Sequence, residues 1–469
     1  MKNRLVLFFL FCTSYVFSQN RPQLYNVDAL PQSLLSNPGT AVSFDKHIGV
    51  PLLSGLSFEA GSSGVSAYDI FRDDISINEA ISNALFDLSS TDYFNTNVQV
   101  ELLSFGWRSS KSDIYYSGGI YQEIDVFSYF PKDLATLAYN GNAGYIDVPF
   151  EFSELAFTAE ALSVYHFGIN KKINDSWQLG VRAKMYMSVA NVSSINNRGD
   201  FTTRTTPNGP NFYTHTLRNV SLVANTSGVA SFYDDEIDTD VTELVSNAFL
   251  SKNNGFGLDI GFTHFINEQW SITGSVIDLG VINHKDDVRN FTASGNYETS
   301  GIELTFPALI DGDEFTDYWQ DIEDEFKDSI NSNDSLSNNY TSWRPVKFNT
   351  SVQYAFGEDR SGTCNCRTSS SRKYVNKLGL HLNTIKRPRG LQTAITAYYD
   401  KDWTSGLLTR LTYTYDKRSA TNLGFLVSTK INKFNLYLAT DNLMQYTNVA
   451  KARGASLQLG MQLVFNNQL

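Results

Sequence analysis

The chain is poor in cysteine and proline, with 3 and 11 in 469 residues, and charged side chains make up only 18% of it. So few cysteines exclude a disulfide-built scaffold, and a 42% hydrophobic content excludes a disordered or collagenous chain. Long apolar runs are also missing. Past the first eighteen residues nothing approaches the roughly 18 to 20 apolar residues that carry a helix across a bilayer, so a helical membrane protein is excluded. Positive charge is the next shortage: Lys+Arg 37 stand against Asp+Glu 49, for a net charge of −12. Phosphate binding depends on a concentrated cationic surface, and no basic stripe occurs, so no nucleic-acid partner is expected. Catalytic signatures are absent too, with no Gly-rich phosphate loop, nucleophile elbow or metalloprotease pattern, so neither an enzyme nor a cofactor is expected. Among the 6 histidines, His166 falls on the polar side of its segment, where filling a barrel interior is its ordinary role.

What is present begins with an export signal. Lys2 and Arg4 form a positive start, Leu5 to Phe11 an apolar stretch, and Val16-Phe17-Ser18 a cleavage site before Gln19. Residues 1–18 are read as a signal peptide, because seven continuous apolar residues are too few to span. Cys12 leaves with it, and the remainder is more acidic still.

Period-two alternation dominates the rest. From Trp177 to Val189 the odd positions are Trp177, Leu179, Val181, Ala183, Met185, Met187 and Val189, while the even ones include Gln178, Arg182, Lys184 and Ser188. Phe256, Leu258, Ile260 and Phe262 repeat the pattern, as do Val346, Phe348, Val352, Tyr354 and Phe356, and Leu457, Leu459, Met461, Leu463 and Phe465. Such segments run to about ten residues or more, which suits a tilted strand crossing a bilayer better than the five or six of a soluble sheet. A secreted β-sandwich is the competing architecture, since its strands also alternate. Strand length argues against it, as do 25 Tyr, 32 Phe and 6 Trp, with Trp107, Tyr115, Tyr116, Trp177, Trp270, Tyr413 and Tyr415 near strand ends, where interfacial aromatic girdles lie.

The predicted fold is therefore an all-β transmembrane antiparallel barrel of about fourteen strands with long extracellular loops. Strands are expected near 47–59, 97–107, 113–125, 154–169, 177–190, 254–265, 270–281, 344–356, 374–385, 390–400, 405–416, 421–431, 433–441 and 454–466. The stretch 213–224 is either a further strand or an extension above the membrane, which leaves sixteen strands as the alternative count. Short links then fall at the periplasmic rim, and the connections 60–96, 126–153, 191–253 and 282–343 fall outside the cell. Two of these loops carry helical spacing, at Ile77 to Leu88 and at Glu314 to Ser329, the second with Phe315, Trp319, Ile322 and Phe326 on one face. Its acidic side matches no calcium-loop spacing and reads as a solvated face, so no metal site is expected. Cys364 and Cys366 lie in a polar link on the periplasmic side, as a possible disulfide of a turn or a pair of free thiols. Residues 19–45 hold Pro31, Pro38 and Gly39 without sustained alternation, so they are not a regular strand. The division is thus a signal peptide at 1–18, an irregular segment at 19–45 and the barrel at 46–469.

Asp28-Ala29-Leu30-Pro31-Gln32-Ser33 leading to Asn37-Pro38-Gly39, and then Ile48-Gly49-Val50-Pro51-Leu52, resembles the opening of an uncharacterised family of Bacteroidota outer-membrane barrels. Asp278-Leu279-Gly280 at a strand end and Asp441-Asn442-Leu443 near the penultimate strand are similar to that family's other recurrent marks. Gly39 departs from the Ala that often follows Asn-Pro there. The family in turn resembles the fourteen-stranded long-chain fatty-acid transporter superfamily, which includes the carrier barrel of type IX secretion. The resemblance implies that residues 19–45 are an N-terminal plug-like segment in the lumen, with Asn37, Pro38 and Gly39 as its marked residues and a disordered periplasmic tail as the alternative, and it implies passive passage of a hydrophobic small molecule. Asp278 gives that expectation a local anchor: it shares parity with Trp270 and Ile272 and would point at lipid unless a bulge turns it inward, which offers a lateral gap at Asp278, Leu279 and Gly280, or unless it simply lies above the membrane at the strand's outer end. The alternative is a binding or assembly component whose large loops engage a secreted or envelope protein while nothing crosses. Outer-membrane lipid is the partner common to both.

Overall fold

The computed structural model describes residues 22–207, 211–233, 249–300, 318–358 and 374–466. Fourteen strands form a closed antiparallel wall. β1 comes in two pieces, Lys46–Gly49 and Leu56–Ser62, followed by β2 (Tyr93–Arg108), β3 (Ile114–Tyr129), β4 (Phe157–Lys172) and β5 (Trp177–Ser194). Next are β6 (Asn254–Phe265), β7 (Trp270–His284) and β8, again in two pieces, Tyr340–Trp343 and Lys347–Glu358. The circuit continues with β9 (Tyr374–Arg387), β10 (Gly390–Thr404), β11 (Leu407–Tyr415), β12 (Asn422–Ile431), β13 (Phe434–Asp441) and β14 (Gly454–Phe465). Closure is made by β14 against both pieces of β1, with Ile48 opposite Leu463 and Phe58 opposite Leu457. Every wall strand pairs with a neighbour on both sides among the described residues, as closure in hydrocarbon requires.

Side-chain direction decides what the wall faces. In β5, Trp177, Leu179 and Val181 are exposed, while Gln178, Arg182 and Lys184 are buried. In β9, Leu378, Leu380 and Leu382 point out, and Lys377, His381 and Asn383 point in. A sandwich in water would do the reverse, so the outside is a lipid-facing belt and the inside a polar filling. At the end where short turns join the strands, outward rings stack in a girdle: Trp107 on Tyr116 with centroids 5.4 Å apart, Trp177 on His264 at 4.2 Å and Trp270 against Tyr354 at 4.9 Å. Tyr115 was expected in this girdle and is not there. Period two turns it inward beside outward Tyr116; it is 0% exposed, with its hydroxyl 2.5 Å from His47 Nδ1.

The other end carries the long connections. Helices Ala67–Phe71 and Ile77–Asp87 join β1 to β2, each started by a serine cap, Ser66 and Ser76. Helix Lys132–Asn140 lies between β3 and β4. The segment expected near 213–224 is a strand, Tyr213–Ser227, but it stands above the wall and not in it. It pairs with Arg198–Thr205 and Val288–Thr299, and the latter pairs with Ile330–Leu336. The sixteen-strand alternative therefore fails, because β6 pairs directly with β5 from Met187 to Trp177. The acidic helix runs from Tyr318 to Ser329, and Phe326 meets Tyr297 edge-on at 5.3 Å. Phe315 lies outside the described residues, as do residues 1–18 with the expected signal peptide, and Cys364 and Cys366.

Candidate functional site in the lumen

Residues 22–45 lie inside the barrel. Leu24, Val27 and Leu30 pack on Leu408, Leu426, Tyr437 and Ala439, and Leu34, Val42 and Phe44 pack on Tyr115 and Val464. An irregular segment has carbonyls that no ladder satisfies, and three wall arginines take that role. Arg410 donates to the Gln23 and Tyr25 carbonyls at 3.1 and 2.6 Å while paired with Asp400 at 2.5 Å. Arg182 donates to the Leu34 carbonyl, and Arg108 to those of Val42 and Phe44 at 3.0 and 3.3 Å. Lys377 pairs with Asp28 at 3.1 Å, and Tyr25 stacks on His381 at 4.0 Å.

Asn37, Pro38 and Gly39 form the tightest contact of this segment with the wall. The Asn37 side chain accepts from Gly39 N at 2.9 Å, closing a local turn, and donates to the Phe262 carbonyl at 3.2 Å. Asn170 donates to the Pro38 and Thr40 carbonyls at 2.5 and 2.9 Å, and Thr263 to that of Gly39 at 2.8 Å. The turn sits on two glycines paired across β5 and β6, Gly180 and Gly261. A Cβ on Gly180 would strike the Pro38 carbonyl, one on Gly261 the Asn37 side chain, and one on Gly39 the Gly261 backbone. Alanine therefore has no room at position 39. Sequence reasoning missed this cradle, although both glycines lie on the inward parity of their strands.

Asp278, Leu279 and Gly280 mark the wall's main irregularity. Leu258 pairs with Leu279 and Ile260 with Val276, so Ile277 and Asp278 together face the single residue Asp259. This is a β-bulge, with Asp278 at φ 62°, a left-handed conformation that aspartate tolerates. The flip carries the carboxylate off the lipid parity and into the lumen, where Asp278 is 2% exposed; Leu279 stays outside. The other neighbour of β7 breaks at the same height. β7 pairs with one piece of β8 through Trp270–Ile277 and with the other through Val281–His284, leaving Asp278–Gly280 opposite Arg344–Val346. Pro345 brings no N–H to a ladder, and the bond across this seam is Arg344 N to the Gly280 carbonyl at 3.0 Å.

Behind the seam lies a balanced charge cluster. Asp278 accepts from Lys184 at 2.6 Å and from the Tyr186 hydroxyl at 3.1 Å, and its own N–H donates to Asp259 at 2.8 Å. Lys184 also pairs with Asp259 at 2.9 Å, as does Arg182 at 3.4 Å. Arg344 pairs with Glu123 at 2.9 Å and with Glu160, and Lys347 lies 3.3 Å from Asp278. Buried charges persist when each finds partners of opposite sign, and here four carboxylates meet four cations. The cluster borders a cavity of about 40 Å³, large enough for a few waters, walled by Tyr121, Asn349 and Asn383 and closed on the side of the lumen segment by Leu35 and Ser36. The sequence marked Asp278 by its broken parity. Lys184, Glu123 and Arg344 carried no such mark, being unexceptional inward or pre-proline positions.

No curated protein matches the chain in sequence. Among solved structures it is similar to the toluene transporter TbuX of Ralstonia pickettii, at 9% identity over 94% of this chain and 95% of that one, TM-score 0.42. It is likewise similar to a FadL homologue of Pseudomonas aeruginosa, at 9% identity over 94% and 96%, TM-score 0.41. The toluene transporter TodX of Pseudomonas putida matches at 8% identity over 93% and 94%, TM-score 0.38. A family model described as a family of unknown function, DUF5723, matches residues 38–441, from the Asn37-Pro38-Gly39 turn through the last residue of β13, and the chain belongs to that family.

Proposed function

We propose that the protein is a gated, non-enzymatic channel of the outer membrane that passes a small hydrophobic molecule passively, with residues 19–45 as its plug and the seam at Asp278, Leu279 and Gly280 as its lateral exit. The observation that carries this reading is the coincidence of three features at one height: the bulge in β7, the break in β8 and the cavity against Leu35 and Ser36. A wall irregular on both sides of one strand costs ladder bonds, and bulges recur where a wall must bend or open. Outside the seam, Phe256, Leu279 and Trp343 are exposed and apolar, which suits release into lipid. The cavity as it stands is small and polar-lined, so passage requires the plug to move or the seam to part.

The test is native mass spectrometry with lipid extraction on protein purified gently from its own outer membrane. A bound apolar molecule that disappears on substitution of Asp278 or of the plug turn supports the channel. A ligand-free barrel that brings down a stoichiometric protein partner overturns it in favour of a binding or assembly component. One observation favours that second reading: at the loop end, Phe71 and Phe86 are 73% and 85% exposed, and Met444 and Val449 join them on the neighbouring turn.

A further inference from the structure

Arg344 is placed as no other cation of the cluster is. It sits in the break of β8, immediately before Pro345, with its main chain bonded to Gly280 across the seam. Its side chain is 0% exposed and reaches inward to the far strands, pairing with Glu123 of β3 at 2.9 Å and with Glu160 of β4, 3.9 Å from Asp278 of β7, and over the Tyr186 ring of β5 at 5.5 Å. One residue thus ties both lips of the seam to strands on the other side of the lumen. A ladder would normally hold β8 to β7 here, and none exists between Ile277 and Val281. Lys347 flanks the same carboxylates at 3.3 Å from Asp278, but it lies in the regular part of β8, opposite Ile277.

We propose that Arg344 is the pin of the lateral seam: a positioning residue whose ion pairs to Glu123 and Glu160 hold the Arg344–Val346 segment against Asp278–Gly280, so that the seam parts when those pairs are given up. This assignment rests on the seam being an exit, and its test separates the two ideas. The variants are Arg344→Ala and, because the first takes the arginine away from Glu123 and Glu160, a triple with an uncharged side chain at all three positions, Arg344→Met, Glu123→Gln and Glu160→Gln. Folding is checked by heat-modifiable migration, seam integrity by amide hydrogen exchange of residues 277–282, and passage by entry of the hydrophobic dye N-phenyl-1-naphthylamine into cells carrying the barrel. The expected result is exchange at the seam about tenfold faster or more in the folded triple variant, the rest of the wall staying protected. Faster exchange with faster dye entry supports both the pin and the exit. Faster exchange with unchanged dye entry keeps the pin and removes the exit. Unchanged exchange in a folded variant refutes the pin whatever the dye does. If Arg344→Ala does not reach the folded barrel, the triple variant decides alone.

Discussion

A methyl group at Gly180 should unseat the Asn37-Pro38-Gly39 turn without harming the wall. The added Cβ meets the Pro38 carbonyl and the Gly39 nitrogen, which are main chain on a turn already fixed by Asn170 and Thr263, so no flexible side chain can swing away. Overpacking of that kind costs about 1–3 kcal/mol. The wall absorbs little of it, because Gly180 lies in a regular ladder between β4 and β6 and alanine suits a strand better than glycine does. The cost therefore falls on the seated state of the turn, shifting its equilibrium roughly 5- to 150-fold. Hydrogen exchange of residues 37–41 by mass spectrometry should speed up by that factor in Gly180→Ala, with heat-modifiable migration intact. Gly168→Ala is the matched control, since its new Cβ would find the Ser117 hydroxyl at 3.1 Å and no atom of the lumen segment nearer than 3.5 Å. Unchanged exchange at 37–41 in Gly180→Ala, or equal acceleration in both variants, refutes the cradle.

Arg410→Ala should lower stability by about 3–5 kcal/mol, because Asp400 is left buried and unpaired; the urea midpoint of the reconstituted barrel measures it, and adding Asp400→Leu should recover part of the loss. At the bulge, Asp278→Asn should be milder than Asp278→Ala, since alanine at φ 62° adds about 1–2 kcal/mol of backbone strain to the lost polar contacts. Equal midpoints for the two would show that the left-handed bulge does not survive. Leu380→Arg places a charge on the outer belt and should cost about 2–4 kcal/mol in bilayers if it lies near mid-depth, whereas a barrel that buries this face in protein would not fold at all.

Most of the wall was legible because hydrocarbon imposes a rule on every second residue. The fourteen expected strands coincide with β1 to β14, and the failure of parity at Asp278 falls where the bulge lies. Features that lipid does not read escaped. The strands Val288–Thr299 and Ile330–Leu336 stand above the membrane, face water or one another and show no sustained apolar alternation. Val50 to Gly55 interrupts β1 at a tight turn around Pro51, where hydropathy alone suggested one continuous strand. Gly180 and Gly261 carry no hydropathy signal, and their purpose depends on a turn more than a hundred residues away in sequence. Arg344 looked like any charged residue ahead of a proline, because its partners Glu123 and Glu160 come from strands brought near only by closure.

The lumen segment also sets an order of events for biogenesis. Gln23 donates to Asp441 of β13, 418 residues further along the chain, and β1 finds its second neighbour only when β14 arrives. Contacts of such separation form late and slowly. The first residues of the folded chain must therefore wait for the last strands, or be held in place while the wall wraps around them. Threading them into a closed barrel afterwards would mean making the Arg410, Lys377 and Arg182 contacts one by one inside a finished wall. Whatever machinery inserts this barrel handles a cylinder that closes around its own beginning.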